Sequence, residues 1–308
     1  MSKMMRKALI LAALEVGGVA AAPTAANAIL VRNINPTPIA GQNVSRDVIR
    51  PYFGNSEQLP GSVHSEIEFE VELAGAGAAG HAPGWGPLLR ACSFAELVTD
   101  GVDVQYHPIT DGGDTLTIHY YLDGLFHKLT GARGTVSFEL NSEQIPVMKY
   151  KFTGFYSPVA DAIAPAGIDF AAFVTPRVVG KLNTPQWGLM GYTGKLESCS
   201  IDVANQVVFQ TMVGGESIDI TDRKPAGSVV LELGRVADKD WWGAILNVQT
   251  GAFSITHGTT AGNIVKIDAP KVQLSQPTYQ DKNGKAMLSA QVVYAPQAGN
   301  DELLITVK

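Results

Sequence analysis

Glu66-Ile67-Glu68-Phe69-Glu70-Val71-Glu72-Leu73 alternates carboxylate and apolar side chains without a break. A β-strand sends successive side chains to opposite faces. The stretch therefore has an acidic face of Glu66, Glu68, Glu70 and Glu72 and an apolar face of Ile67, Phe69, Val71 and Leu73. A helical period would smear both sets around the axis. Successive Glu on one face stand about 7 Å apart, and each such pair repels by about 0.6 kcal/mol in water. A solvated strand ordinarily intersperses Lys or Thr there. The row reads in two ways: as the solvated outer face of an antiparallel sheet, or as a negative surface that function requires.

The rest of the chain has the composition of a turn-rich β protein. Its 308 residues include 32 Gly and 17 Pro, and 45% hydrophobic with 17% charged residues is a globular balance. The length accommodates one large β domain or two of ordinary size. A net charge of −6 argues against a general nucleic-acid binder, which needs a basic footprint. Cys92 and Cys199 supply neither metal-ligand spacing nor a disulfide framework, so both read as buried free thiols. No segment approaches the about 20 apolar residues of a membrane span.

The amino terminus is ambiguous. Lys3, Arg6 and Lys7 precede the apolar run 8–14, and Ala26-Asn27-Ala28 looks like a cleavage site, which together imitate a secretory signal. The run is short, Glu15 interrupts it, and Pro23-Thr24 separates it from the cleavage-like triplet. The other reading is a short amphipathic helix followed by an extended arm.

Strand signals recur along both halves. Residues 29–34 and 44–49 flank Asn35-Pro36-Thr37-Pro38 and read as a hairpin or a two-stranded arm. After the Glu row, residues 85–97 suit a short helix anchored by Trp85 and Phe94. Further strands follow at 102–106, 115–122, 136–140 and 149–155. Residues 157–185 turn to Ala, Pro and Gly, the composition of a linker or long loop. The second half then opens with 195–203 and 206–213, a hairpin about Ala204-Asn205. A strand at 228–233 precedes a helix at 236–248 holding Trp241-Trp242-Gly243. More strands end the chain, with Asn283-Gly284 as a hairpin turn. Each half runs hairpin, strand, short helix announced by Trp-Gly, then strands, the pattern of a diverged duplication.

Catalytic and metal chemistry find little support. His119 and His127 flank a hairpin but lack a third ligand. Asp111-Gly112-Gly113-Asp114 and Asp281-Lys282-Asn283-Gly284 never reach the distal Glu of an EF-hand. No nucleophile elbow, zincin helix or phosphate loop occurs. The four Glu sit on one strand, whereas a glycosidase pair faces across a cleft. No catalytic, cofactor-binding or metal-ligating residue is assigned, and no cofactor is expected.

Ala26-Asn27-Ala28-Ile29-Leu30-Val31-Arg32 and the phrase from Val44 to Ser56 (VSRDVIRPYFGNS) resemble the opening of the tail tube, or major tail, proteins of bacteriophages with long non-contractile tails. The likeness continues through Phe69 to Gly75, Trp85 to Cys92 and Lys128 to Phe138, covering residues 25–157. It implies a structural virion protein of the siphophage type without catalysis. The implied fold is mainly β, with two tandem β-sandwich or half-barrel domains, each with a short flanking α-helix. The organisation is then an N-terminal helix or arm at 1–28, a first domain at 29–157, a linker or long loop at 158–190 and a second, duplicate domain at 191–308. Such proteins assemble into stacked rings through which DNA is ejected. With two domains per chain, homotrimeric pseudo-hexameric rings are expected. The resemblance further implies as partners other copies of the chain, a tape measure protein, tail terminator and distal tail proteins, and phage DNA that passes non-specifically, with no membrane. It places the protein in the virion tail, and in the host cytoplasm before assembly, which disfavours the signal-peptide reading. On this view Glu66, Glu68, Glu70 and Glu72 line the lumen, and Ile67, Phe69, Val71 and Leu73 pack the core. The alternatives are a secreted β-rich surface or adhesin-type protein and a carbohydrate-active β-sandwich.

Overall fold

The computed structural model describes residues 2–308. The chain is mainly β with two short helices. In the first half run β1 (Ala8–Leu14), β2 (Ala28–Ile29), β3 (Arg32–Ala40), β4 (Asn43–Ser45), β5 (Gln58–Pro60) and β6 (His64–Glu72). Then come α1 (Gly86–Arg90), β7 (Phe94–Thr99), β8 (Asp103–Pro108), β9 (Leu116–Leu122), β10 (Leu125–Asn141), β11 (Val147–Tyr156) and β12 (Ala160–Asp161). The second half holds β13 (Gln186–Leu189), β14 (Leu196–Asp202), β15 (Asn205–Met212), β16 (Gly215–Arg223), β17 (Ala226–Glu232) and α2 (Trp241–Leu246). It ends with β18 (Thr250–His257), β19 (Val265–Lys282), β20 (Lys285–Tyr294) and β21 (Leu304–Val307). Among the described residues no helix is long and apolar enough to cross a membrane.

Eight antiparallel strands from both halves form one continuous run in the order β3-β6-β11-β10-β14-β17-β20-β19. The halves meet where β10 pairs with β14, from Ser137 opposite Asp202 to Asn141 opposite Ser198. They meet again where β21 pairs with β8 through Ile305 and Tyr106. One face of the run carries the core, whose largest side chains include Trp85, Trp241, Tyr106, Tyr150, Phe69, Phe138 and Phe253. The second layer holds β1 and β9 in one half and β13 and β18 in the other.

Four local expectations are corrected. The apolar run near the amino terminus is a strand and not a helix. Seven residues are too few for a stable isolated helix, whereas β1 pairs at all seven positions with β9, from Ala8 opposite Leu122 to Leu14 opposite Leu116. Glu15, which interrupts the run, is a buried carboxylate. It accepts hydrogen bonds from Thr117 Oγ1 (2.6 Å), Thr115 Oγ1 (2.8 Å) and the Gly131 N–H (2.8 Å), so its buried oxygens are satisfied by protein donors.

The Asn35-Pro36-Thr37-Pro38 segment lies inside β3 and is no turn. Its prolines sit on a strand that, among the described residues, pairs only with β6 and is bulged on either side of Asn35–Thr37, the setting that tolerates a missing N–H. The hairpin about Ala204-Asn205 does not form either. Ala204 takes a left-handed φ of 50°, and β15 leaves the sheet to pair with β16 instead. The helices are shorter than the 85–97 and 236–248 spans. Ser93, at φ 60°, ends the first turn and starts β7, and Asp240 caps α2 by accepting from the Gly243 N–H at 2.8 Å.

Candidate functional site

The Glu row lies on β6, and its two faces separate fully. Ile67, Phe69, Val71 and Leu73 are no more than 2% exposed. Phe69 stacks on Phe152 and tilts against Tyr150, with centroids 5.8 and 5.9 Å apart. Glu66, Glu68, Glu70 and Glu72 occupy the opposite, partly exposed face.

That face is not purely acidic, because the flanking strands bring cations into register. On β11, Lys149 stands opposite Glu70 and Lys151 opposite Glu68, and on β3, Arg32 stands opposite Glu70. Lys151 Nζ lies 3.2 Å from Glu66 and 3.4 Å from Glu68. Arg32 reaches Glu72 at 3.5 Å and Glu70 at 3.9 Å. Lys149 turns the other way, to Glu139 at 2.6 Å. Asn33 donates to Glu70 at 2.7 Å. Desolvation pulls the Lys151 ammonium down, but Glu66 and then Glu68 outweigh it and hold its pKa above the ordinary value. The repulsion along the strand is thus offset across the strands, by pairs that solvent keeps individually weak.

Glu139 on β10 and Asp202 on β14 share this face, since Glu139 pairs with Val147 and Asp202 with Ser137. Glu139 with the row outnumbers Arg32, Lys149 and Lys151 and makes the face net negative in the first half, and Asp202 carries that charge onto β14. The second half differs. There the row Ser200, Ser228, Gln291 and Ser275 crosses four strands in register without a charge. Along β17 the same face holds Ser228, Val230 and a single Glu, Glu232, which meets Lys195 and Lys285.

The histidine hairpin does not gather a site. His119 pairs with Lys128 and His127 with Tyr120, so the two rings lie on opposite faces of β9–β10. Burial, then the Lys128 charge, pushes His119 down to about 4. Burial alone lowers His127. Among the described residues no group of three or more His, Cys, Asp or Glu side chains converges as a metal site. Cys92 and Cys199 are both buried, and desolvation raises each thiol, Cys199 to about 12.

Reading the sequence alone left out the strand equivalence between halves. In the first half β1-β9-β10-β11-β6-β3 are neighbours in that order; in the second, β13-β18-β19-β20-β17-β14 are. Each half also sends out a two-stranded arm at the same point. The β4–β5 arm leaves between β3 and β6, and the β15–β16 arm leaves between β14 and β17. A sequence signal marks the register. Tyr156-Ser157-Pro158 and Tyr294-Ala295-Pro296 end β11 and β20, and each Tyr forms the first rung of its hairpin, opposite Leu129 and Val272.

A search of curated proteins finds no match. A family model described as phage tail tube protein matches residues 6–293, which takes in both halves of the run and both arms. The chain belongs to the phage tail tube protein family.

Proposed function

We propose that this chain is the repeating unit of a phage tail tube, and that three copies close into a ring of six similar sectors. The observation that carries this reading is the eight-strand run, in which two four-strand sets, β3-β6-β11-β10 and β14-β17-β20-β19, follow one another in the same strand order. Tandem domains at 29–157 and 191–308, joined by 158–190, account for that order. A run that ends on unpaired edges is completed by closure around a ring, which removes those edges. Ring-to-ring contacts are heterologous and open-ended, so they propagate a tube.

Closure supports a lumen on the Glu-bearing face. The other face is covered by the core, the second layer and both helices, and the larger outer circumference suits that bulk. A net negative wall repels phosphate, whereas a basic one would hold DNA through counterion release. With the four-Glu row on one sector of each chain, three acidic sectors alternate with three in which serines and the Glu232–lysine pairs take that place. The protein acts as a structural component without catalysis. Its further partners follow from the place of a tube in a tail: a tape measure protein inside, and terminator and distal tail proteins at the ends.

The tube is built in the host cytoplasm with the amino terminus intact. Cleavage after Ala28 would remove β1, whose Ile10, Leu11 and Ala12 are at most 2% exposed. Negative-stain images of the purified, concentrated protein test the function. Stacked rings or tubes with an open centre are expected. Particles that never associate, or a mature chain that starts at Ile29, would overturn it.

A further inference from the structure

We infer that the ring closes through one strand pair, the free edge of β19 on one copy against β3 of the next, in the register that β10 and β14 already use within the chain. The inference rests on the ring reading above and adds the surfaces and the residues that meet.

The two long strands are used alike, with one difference. One edge of β10 is taken by β11 and β12, through residues 129–139 and 125–126. Its other edge is shared between β9, up to Ala132, and β14, from Ser137 to Asn141. One edge of β19 is likewise taken by β20 and β21. Its other edge holds β18 up to Gln273, and beyond that no described strand pairs with it. The place that β14 fills on β10 is open on β19.

The complementary vacancy is on β3. Its counterpart β14 pairs with both β17 and β10, whereas among the described residues β3 pairs with β6 alone. Exposure follows the same division. Residues 276–281 of β19 are all exposed, including Tyr279 at 65%, while the matching part of β10 buries Val136 and Phe138 completely. On β3, Ile39 is 64% exposed. Both edges are open and carry an exposed apolar residue, and since Pro36, Pro38 and Pro277 remove donors, the pairing they support is a short one that a second copy covers.

The Tyr-x-Pro anchors set the register. With Tyr156 equivalent to Tyr294, Val147 corresponds to Lys285. Their partners Glu139 and Lys282 then correspond as well. By the same steps Thr153 matches Gln291, Glu66 matches Ser228, and Thr37 matches Ser200. Since Glu139 faces Ser200 within the chain, Lys282 of one copy faces Thr37 of the next. The seam brings a lysine where the internal seam has a glutamate, which distinguishes the two joints chemically.

Paired cysteines test this in the full chain. The control E139C/S200C should form an internal disulfide and show that cysteines at this rung are bridged. The native Cys92 and Cys199 are buried and stay out of the reaction. T37C/K282C, assembled and then oxidised, should give dimers and trimers on a non-reducing gel, and monomers when either substitution is made alone. Rings that form under the microscope but yield only monomers from T37C/K282C, while the control bridges, would overturn the seam and leave the tube reading standing. A wild-type chain that makes no rings would overturn both.

Discussion

Glu139 faces Ser200 across the seam that joins the two four-strand sets of the sheet run. The seam is held by more than its ladder. Asn205, just past β14, donates from its side chain to the Cys92 carbonyl at 2.8 Å and to the Gly134 carbonyl at 3.0 Å, and its N–H donates to Thr135 Oγ1 at 3.0 Å. Asn205→Ala strips two buried carbonyls of these donors and should cost about 1–3 kcal/mol. Denaturant unfolding of the unassembled chain reads this directly, and a loss below about 0.5 kcal/mol would show that the amide is not a fastening of the seam.

A second fastening lies at the base of the β15–β16 arm. Arg223 Nε meets Glu302 at 2.5 Å with both side chains nearly buried, and its Nη1 donates to the Ile109 carbonyl at 3.0 Å. Removing one partner of a buried pair leaves an uncompensated charge, so Arg223→Ala should cost about 3–5 kcal/mol. The double variant Arg223→Met with Glu302→Leu should lose less than the single one. A double variant as unstable as Arg223→Ala would show that the carbonyl contact, and not the charge, dominates.

The four Glu of β6 stand beside Arg32, Lys149 and Lys151. Replacing all four by Gln should leave the fold within about 1 kcal/mol of the parent, because exposed pairs contribute little. Replacing all four by Lys crowds cations onto the same face and should lower stability further, with partial recovery in high salt. If the face lines the lumen, phage carrying the Lys variant assemble tails but deliver DNA poorly. Normal delivery would place the acids elsewhere.

A half-buried histidine sets an acid limit. His119 has a folded-state value of about 4 against an ordinary 6.5. In that window the unfolded chain binds the extra proton, so stability falls as pH drops from 6.5 towards 4 and levels off below. His119 packs edge-on against Phe126 with centroids 4.9 Å apart, and His119→Phe should flatten part of that slope. Melting temperatures of both proteins across the window check this; parallel curves would contradict it.

The β class and the two faces of 66–73 were legible because an alternation of period two needs no knowledge of neighbours. The cations beside the Glu row were legible in principle, since Lys149-Tyr150-Lys151-Phe152 alternates in the same way, but only register tells which acids they meet. Where local sequence and tertiary pairing disagree, pairing prevails. The run 8–14 carries no strand pattern of its own and becomes one because β9 offers a partner along its whole length. The prolines of β3 look like a turn until its position beside bulges is known. The partner of 205–212 is 215–223 and not the strand before it, and the tight turn at Val213-Gly214 that joins them is the local signal for that pairing.

The central claim is that each chain supplies two equivalent sectors of the ring. Native mass measurement on rings released from purified tubes tests it most directly. Three chains per ring is the result predicted here, and six chains per ring would contradict it.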